Sequence, residues 1–118
     1  MGNQDLGRRG EEYIASLLQA RGDVIIDRNW RIRSGEIDIV SLDTNGKLHF
    51  VEVKTRTSVA FGHPLEAIDE KKAHRLQRLA LAWLATHSAL GADFHIDVAA
   101  VLIARDGSIT HEIRMDVL

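Results

Sequence analysis

Two short segments place ionisable side chains where the surrounding pattern calls for buried β-strand: Gly35-Glu36-Ile37-Asp38-Ile39-Val40 and Phe50-Val51-Glu52-Val53-Lys54-Thr55-Arg56. Ions without partners are costly to bury, so these charges need a counterpart. A divalent cation beside a phosphate is one such counterpart. Asp38 and Glu52 offer hard oxygen ligands, and Lys54 sets a positive charge next to them. The chemistry this set points to is phosphodiester hydrolysis, with Mg²⁺ or Mn²⁺ acidifying a water and Lys54 orienting it or offsetting charge that develops in the transition state. The plain alternative is a solvated sheet face held by cross-strand ion pairs, because Glu-x-Lys is common in strands.

The elements that must position these residues follow from periodicity. Leu6, Tyr13, Ile14, Leu17 and Leu18 recur at helical spacing, so residues 4–21 form a first helix that stops at Gly22. Residues 24–32 are β-branched and partly apolar and read as a strand, with two further strands at 36–42 and 48–55. Pro64 suits the first turn of a second helix, predicted over 64–87 through Leu65, Ile68, Leu76, Leu79 and Trp83. Strands at 95–103 and 108–113, joined by the turn Asp106-Gly107, complete the chain. A hairpin-linked trio, a crossover helix and a later strand make an α/β fold with a mixed sheet, the later strand pairing in parallel with one of the three.

The turn between the second and third strands decides whether a site exists. If Asn45-Gly46 alone formed a two-residue turn, position 38 would pair with position 53, and Asp38 and Glu52 would face opposite ways. If the loop is Thr44-Asn45-Gly46, with a left-handed Gly46 forming a bulge, Asp38 lies opposite Glu52 and Glu36 opposite Lys54. Asp43 at the first turn position and Gly46 at the fourth suit the longer loop; Asn-Gly also suits the shorter. The three-residue register is the one expected. Two carboxylates about 5 Å apart across a sheet then repel unless a cation lies between them.

Composition sets the bounds. A chain of 118 residues with 45% hydrophobic and 27% charged residues is expected to make one globular domain. The formal charge of −2 excludes nucleic-acid binding by bulk positive charge and leaves only a local basic patch. With no cysteine there is no disulfide and no thiolate metal site. The first residues lack the pattern of a secretory signal, and no apolar run approaches a membrane span, so a cytoplasmic location is expected. The six histidines show no zinc spacing; for His95 and Asp97, which share a strand face, a structural hydrogen bond is expected.

The two charged motifs in order, separated by a short hairpin, resemble the YraN-type family of small bacterial proteins, which is similar to archaeal Holliday-junction resolvases of the PD-(D/E)xK nuclease superfamily. The resemblance extends over nearly the whole chain. It includes Gly7-Arg8-Arg9-Gly10-Glu11 in the first helix, Asn29-Trp30-Arg31 in the first strand, and Phe61-Gly62-His63-Pro64 with Glu66-Ala67-Ile68 and Lys72, Arg75 and Leu76 in the second helix. It departs at Ile14, where the family usually has alanine, and at Ile37, where the superfamily has proline; His95-Ile96-Asp97-Val98 matches only loosely. The resemblance implies a restriction-endonuclease-like fold, Asp38 and Glu52 as metal ligands, Lys54 as the catalytic lysine and Glu11 as a further carboxylate.

The expectation is therefore a Mg²⁺- or Mn²⁺-dependent nuclease acting on branched or damaged DNA. The alternative is a nucleic-acid-binding or accessory module that keeps the fold and does not cleave. Lys71, Lys72, Arg75 and Arg78 are candidate phosphate contacts on the second helix, although a solvated helix face would look the same. Arg31 and Arg56 are further candidates near strand ends, and Trp30 is expected in the core. The residues do not set the oligomeric state; a homodimer is suggested only by analogy with junction enzymes, which commonly pair because their substrate is two-fold.

Overall fold

The structure is a computed structural model, and it describes residues 3–57 and 69–117. Its elements run α1 (Asn3–Ala20), β1 (Val24–Ile32), β2 (Gly35–Leu42), β3 (Leu48–Arg56), α2 (Glu70–Thr86), β4 (Phe94–Ile103) and β5 (Ile109–Arg114). This is the order expected from periodicity, with boundaries shifted by a residue at most strand ends. In the described residues α2 opens at Glu70, because Asp69 caps it by accepting the Lys72 N–H at 2.8 Å. Pro64, Leu65 and the motifs Phe61-Gly62-His63-Pro64 and Glu66-Ala67-Ile68 lie outside the described residues.

The five strands form one mixed sheet in the order β1-β2-β3-β4-β5. β1, β2 and β3 pair antiparallel, the crossover through α2 makes β3 and β4 parallel, and β5 returns antiparallel to β4. The β2–β3 register is the expected one: Leu42 pairs with Leu48, Val40 with Phe50 and Ile39 with Val51. The turn closes with the Asp43 N–H on the Lys47 carbonyl at 2.9 Å and the Gly46 N–H on the Asp43 carbonyl at 3.0 Å. Gly46 is left-handed at φ 81°, as the three-residue loop requires. Asp43 also accepts the Asn45 and Lys47 N–H groups through its side chain, which selects this turn over the shorter one.

One helix covers each face. On the first, Ile14, Ala15 and Leu18 of α1 pack with Ile39, Val51, Ala99, Val101 and Ile103. On the second, Leu76, Leu79, Ala80, Trp83 and Leu84 of α2 pack with Ile37, Val40, Leu48, Phe50 and Ile96. Trp30, expected in the core, is half-buried and packs against this second cluster from its edge. The close approach of α1 to β3 depends on Gly10, which is buried: a Cβ there would overlap Thr55 Oγ1 and lie 2.9 Å from Thr55 Cβ.

On the turn side of the charged motifs, beginning at the residue just before the second of them, lies a buried ionic clasp. His49 Nδ1 is 2.7 Å from Asp97 Oδ2, and His49 Nε2 is 2.7 Å from Asp43 Oδ2. Asp97 Oδ1 accepts the Asp116 N–H at 2.9 Å, and His95 Nδ1 lies 3.2 Å from Asp116 Oδ1. Both ring nitrogens of His49 therefore face carboxylates, an arrangement only the imidazolium satisfies. Burial pulls the His49 pKa down. The hydrogen bond to Asp43 and the charge and hydrogen bond of Asp97 outweigh it, so the net direction is upward. The same His49 bond, with the Lys47 N–H, lowers Asp43 to about 2.

Two predictions follow from these contacts. Gly10→Ala, although alanine is favoured in a helix by about 1 kcal/mol, should destabilise the chain by about 1–3 kcal/mol through overpacking against Thr55; urea unfolding measures it, and a stability at or above wild type would contradict the packing. The clasp stabilises fully below the ordinary histidine value and weakens as pH rises through the raised folded one. Wild type should therefore lose melting temperature as pH rises above 6.5, and His49→Gln should lower the melt at pH 6 while flattening that loss. Equal slopes in the two proteins would assign the loss elsewhere.

Candidate active site

The charged motifs meet where β1 and β3 end and β2 begins. Position 38 follows Ile39 in the β2–β3 ladder, opposite Glu52, but the backbone pairing stops at Ile39 and Val51. Asp38 continues it with its side chain: Oδ2 accepts the Val53 N–H at 2.8 Å. β3 meanwhile stays paired with β4 as far as Arg56 and Leu102, so Glu52 and Lys54 rest on a continuous parallel pair. The carboxyl ends of parallel strands are where open α/β sheets commonly place their sites.

Glu52 Oε1 lies 3.8 Å from Lys54 Nζ, while Glu52 Oε2 is buried with no hydrogen-bond partner. Asp38 is pushed up to about 7. Burial is the main cause, the Val53 hydrogen bond opposes it, and the charges of Glu11, Glu52 and Glu36 add to it. Glu11 is raised as well, first by burial and then by Glu36, against the attraction of Arg28 and Arg8. The carboxylates thus stand in one another's fields without full compensation. Among the described residues, no three Asp, Glu or His side chains come close enough to hold a metal ion by themselves.

The structure brings Lys72 into this group. Its pKa is lowered to about 8, by burial first and then by a hydrogen bond with Lys54 and the charges of Lys54 and Arg75, against the attraction of Glu52. In sequence Lys72 lies beside the stripe of Lys71, Arg75 and Arg78; in the structure its ammonium stands beside the central lysine. It occupies the first turn of α2, where unpaired N–H groups and the helix dipole add positive potential.

The remaining basic candidates fall into separate clefts. Lys71, Lys72, Arg75 and Arg78 line a groove of about 440 Å³ along the start of α2. Arg56 lines a second, of about 480 Å³, between Gly7 of α1 and the end of β3, and donates to the Thr55 carbonyl at 2.9 Å. Arg31 lies in a third, of about 590 Å³, with Arg8, Glu11, Arg28, Asn29 and Glu36. There Arg31 pairs with Glu36 and Arg28 with Glu12, both at 2.8 Å. Asp97, one ladder step from the Glu52–Val98 pair, makes the expected structural hydrogen bonds, to His49 and to the Asp116 N–H, whereas His95 Nδ1 lies 3.2 Å from Asp116 Oδ1 without a hydrogen bond.

Asn29 is the residue whose position the motifs do not reveal. It sits in β1 at φ 53°, between the pairs Arg28–Ile39 and Trp30–Ile37, and so opposite Asp38. Asparagine within a β-branched strand is the available signal, since it tolerates a left-handed backbone better than its neighbours do.

A mixed α/β sheet bringing carboxylates and lysines to the ends of its parallel strands defines a small α/β protein with an acid–lysine site. The chain belongs to the Uncharacterised protein family UPF0102, whose model matches residues 10–117, the YraN-type family to which its motifs point. A UPF0102 protein of Leifsonia xyli subsp. xyli is 52% identical over 100 residues, spanning 85% of this chain and 84% of that protein. One from Arthrobacter sp. is 53% identical over 97 residues, spanning 82% and 81%. One from Clavibacter michiganensis is 47% identical over 110 residues, spanning 93% and 92%. Among solved structures, Pyrococcus furiosus SfsA in complex with Ca²⁺ overlays at TM-score 0.45 and 17% identity, over 92% of this chain and 62% of that one. No helix among the described residues is long and apolar enough to cross a membrane.

The raised pKa of Asp38 makes a signed prediction. Between its ordinary 3.8 and about 7 the folded state binds more protons than the unfolded one, so stability falls as pH rises through that window. In chelator, Asp38→Asn keeps an acceptor for the Val53 N–H and removes the charge. It should raise the melting temperature at pH 8 by about 5 °C and change it little at pH 4. A variant that melts lower at pH 8 would show that the carboxylate is compensated.

Proposed function

We propose that the chain is a metal-dependent nuclease that hydrolyses phosphodiester bonds in branched or damaged DNA. The observation that carries this reading is the placement of Asp38 opposite Glu52, with Lys54 and Lys72 at the same strand ends. The donor set suits Mg²⁺ or Mn²⁺. Glu52 Oε2 is buried without a partner, and Asp38 is held up by neighbouring negative charge; both are relieved by a hard cation. Asp38 and Glu52 would hold the ion, and Glu11 would stand behind them as a third carboxylate. Because no three acidic groups converge among the described residues, water and substrate phosphate would complete the shell.

When bound, the ion supplies an acidified water and a polarised phosphoryl oxygen. The chain's own residues do the rest. Lys54, held beside Glu52, presents positive charge to the phosphate as negative charge develops on it. Lys72 adds a second ammonium on the α2 side, and Lys71, Arg75 and Arg78 continue the positive groove away from the reacting centre. Arg56 and Arg31, in the clefts beside α1, are placed to meet other phosphates of a branched substrate. A pair of chains would suit a two-fold junction.

A non-catalytic DNA-binding module is the second reading, favoured by the net charge of −2 and by the open carboxylate set. Cleavage of duplex, single-stranded and four-way-junction DNA with Mg²⁺ or Mn²⁺ separates the two. Wild type should cut and the Asp38→Ala, Glu52→Ala double variant should not; matching behaviour removes the enzyme reading. Binding is tested apart from cleavage: Lys71→Ala, Arg75→Ala, Arg78→Ala should lower the salt slope of duplex affinity by about 2–3, and an unchanged slope would move the DNA off α2.

A further inference from the structure

Asn29 combines two features that converge on the carboxylates. The first is its backbone. Asn29 has φ 53° inside a strand, a conformation that costs a non-glycine residue energy and is retained where the surroundings require it. Directly across the ladder, Ile37 and Ile39 are two residues apart and would share a face in a regular strand. Instead Ile37 packs beneath α2 with Leu76, and Ile39 beneath α1 with Ile14. The pleat therefore turns over at the Asn29–Asp38 position, and Asp38 is aimed along the sheet at the Val53 N–H.

The second feature is its amide. With the nitrogen facing the carboxylates, the orientation that satisfies the surrounding groups, it donates to Glu11 Oε1 at 2.7 Å and to Glu36 Oε1 at 3.1 Å. One NH₂ carries two hydrogens, so both bonds form at once. Glu36 is held from its other side by Arg31. Glu11 comes from α1 and Asp38 from β2, and Asn29 is the β1 residue that ties the first to the strand position facing the second.

We propose that Asn29 is a positioning residue for divalent-cation binding: its left-handed backbone aims Asp38 at β3, and its amide holds the Glu11 carboxylate beside it. The proposal rests on the metal-dependent reading above. Asn29 touches neither the ion nor the phosphate and acts through Glu11 and Asp38.

The test is a calorimetric titration of the full chain with Mn²⁺ alone, paired with thermal melts. Asn29→Gly keeps a backbone that accepts positive φ and deletes the amide. It should melt within a few degrees of wild type yet bind Mn²⁺ about tenfold more weakly, the lower end of what loss of a ligand-orienting partner costs. Glu11→Gln should weaken binding to at least the same degree, and the double variant Asn29→Gly, Glu11→Gln should be no weaker than Glu11→Gln, because the two residues act as one unit. Additive losses, or Asn29→Gly binding Mn²⁺ as wild type does, overturn the proposal and leave the metal reading standing. An Asn29→Gly chain that melts far below wild type assigns the residue to the fold and also overturns it. Wild type that takes up no Mn²⁺ removes the metal reading itself, and the role of Asn29 with it.

Discussion

Everything at the strand ends depends on the parity of one hairpin. Side chains alternate along a strand, so one residue more or fewer in the β2–β3 turn would send every partner to the other face. Asp43 and left-handed Gly46 select the three-residue loop, and the ladder then runs without a shift to Ile39 and Val51. At the next step the strands part and a side chain replaces the backbone: Asp38 takes the Val53 N–H. Because β3 keeps its parallel partner β4 past that point, Glu52 and Lys54 do not lose their support where β2 leaves.

The helices add charge at the same end. Gly10 lets α1 settle against Thr55, which puts the next residue, Glu11, within the field of Asp38. α2 begins at its Asp69 cap and brings Lys72 to Lys54 one turn later. A chain with a formal charge of −2 thereby gathers cations along the start of one helix, beside a group of carboxylates that repel one another. Local potential of this kind is set by where charges are placed, and the total says little about it.

Much of this is legible in the residues. Charges within apolar strands stand out because burial makes them expensive, and Asp43 with Gly46 favours the three-residue turn, so the fold order and the β2–β3 register as far as Ile39 and Val51 follow from the residues. What cannot be read is set by three-dimensional approach. Helical spacing sets Lys72 beside the stripe of Lys71, Arg75 and Arg78 but does not show that its ammonium reaches Lys54, because that depends on how α2 crosses the sheet. The pleat reversal at Asn29 is invisible to a period-two pattern, which assumes that alternation never breaks. His49 shows no metal spacing and looks unremarkable, yet its partners Asp43 and Asp97 arrive from a turn and from another strand.

The clasp around His49 bears on how the chain chooses between alternative closures. Asp43, Ser41, His49 and Lys47 share a face only when Ser41 pairs with His49, the same parity that sets Asp38 opposite Glu52. A hairpin closed with two residues in its turn would put His49 and Asp43 on opposite faces, and the imidazolium would be buried against Asp97 with one nitrogen unsatisfied. The error would thus be registered at the turn and at Asp97, one ladder step from Glu52. The clasp therefore penalises the slipped register in the folded chain, through contacts made by the turn and by β4 together.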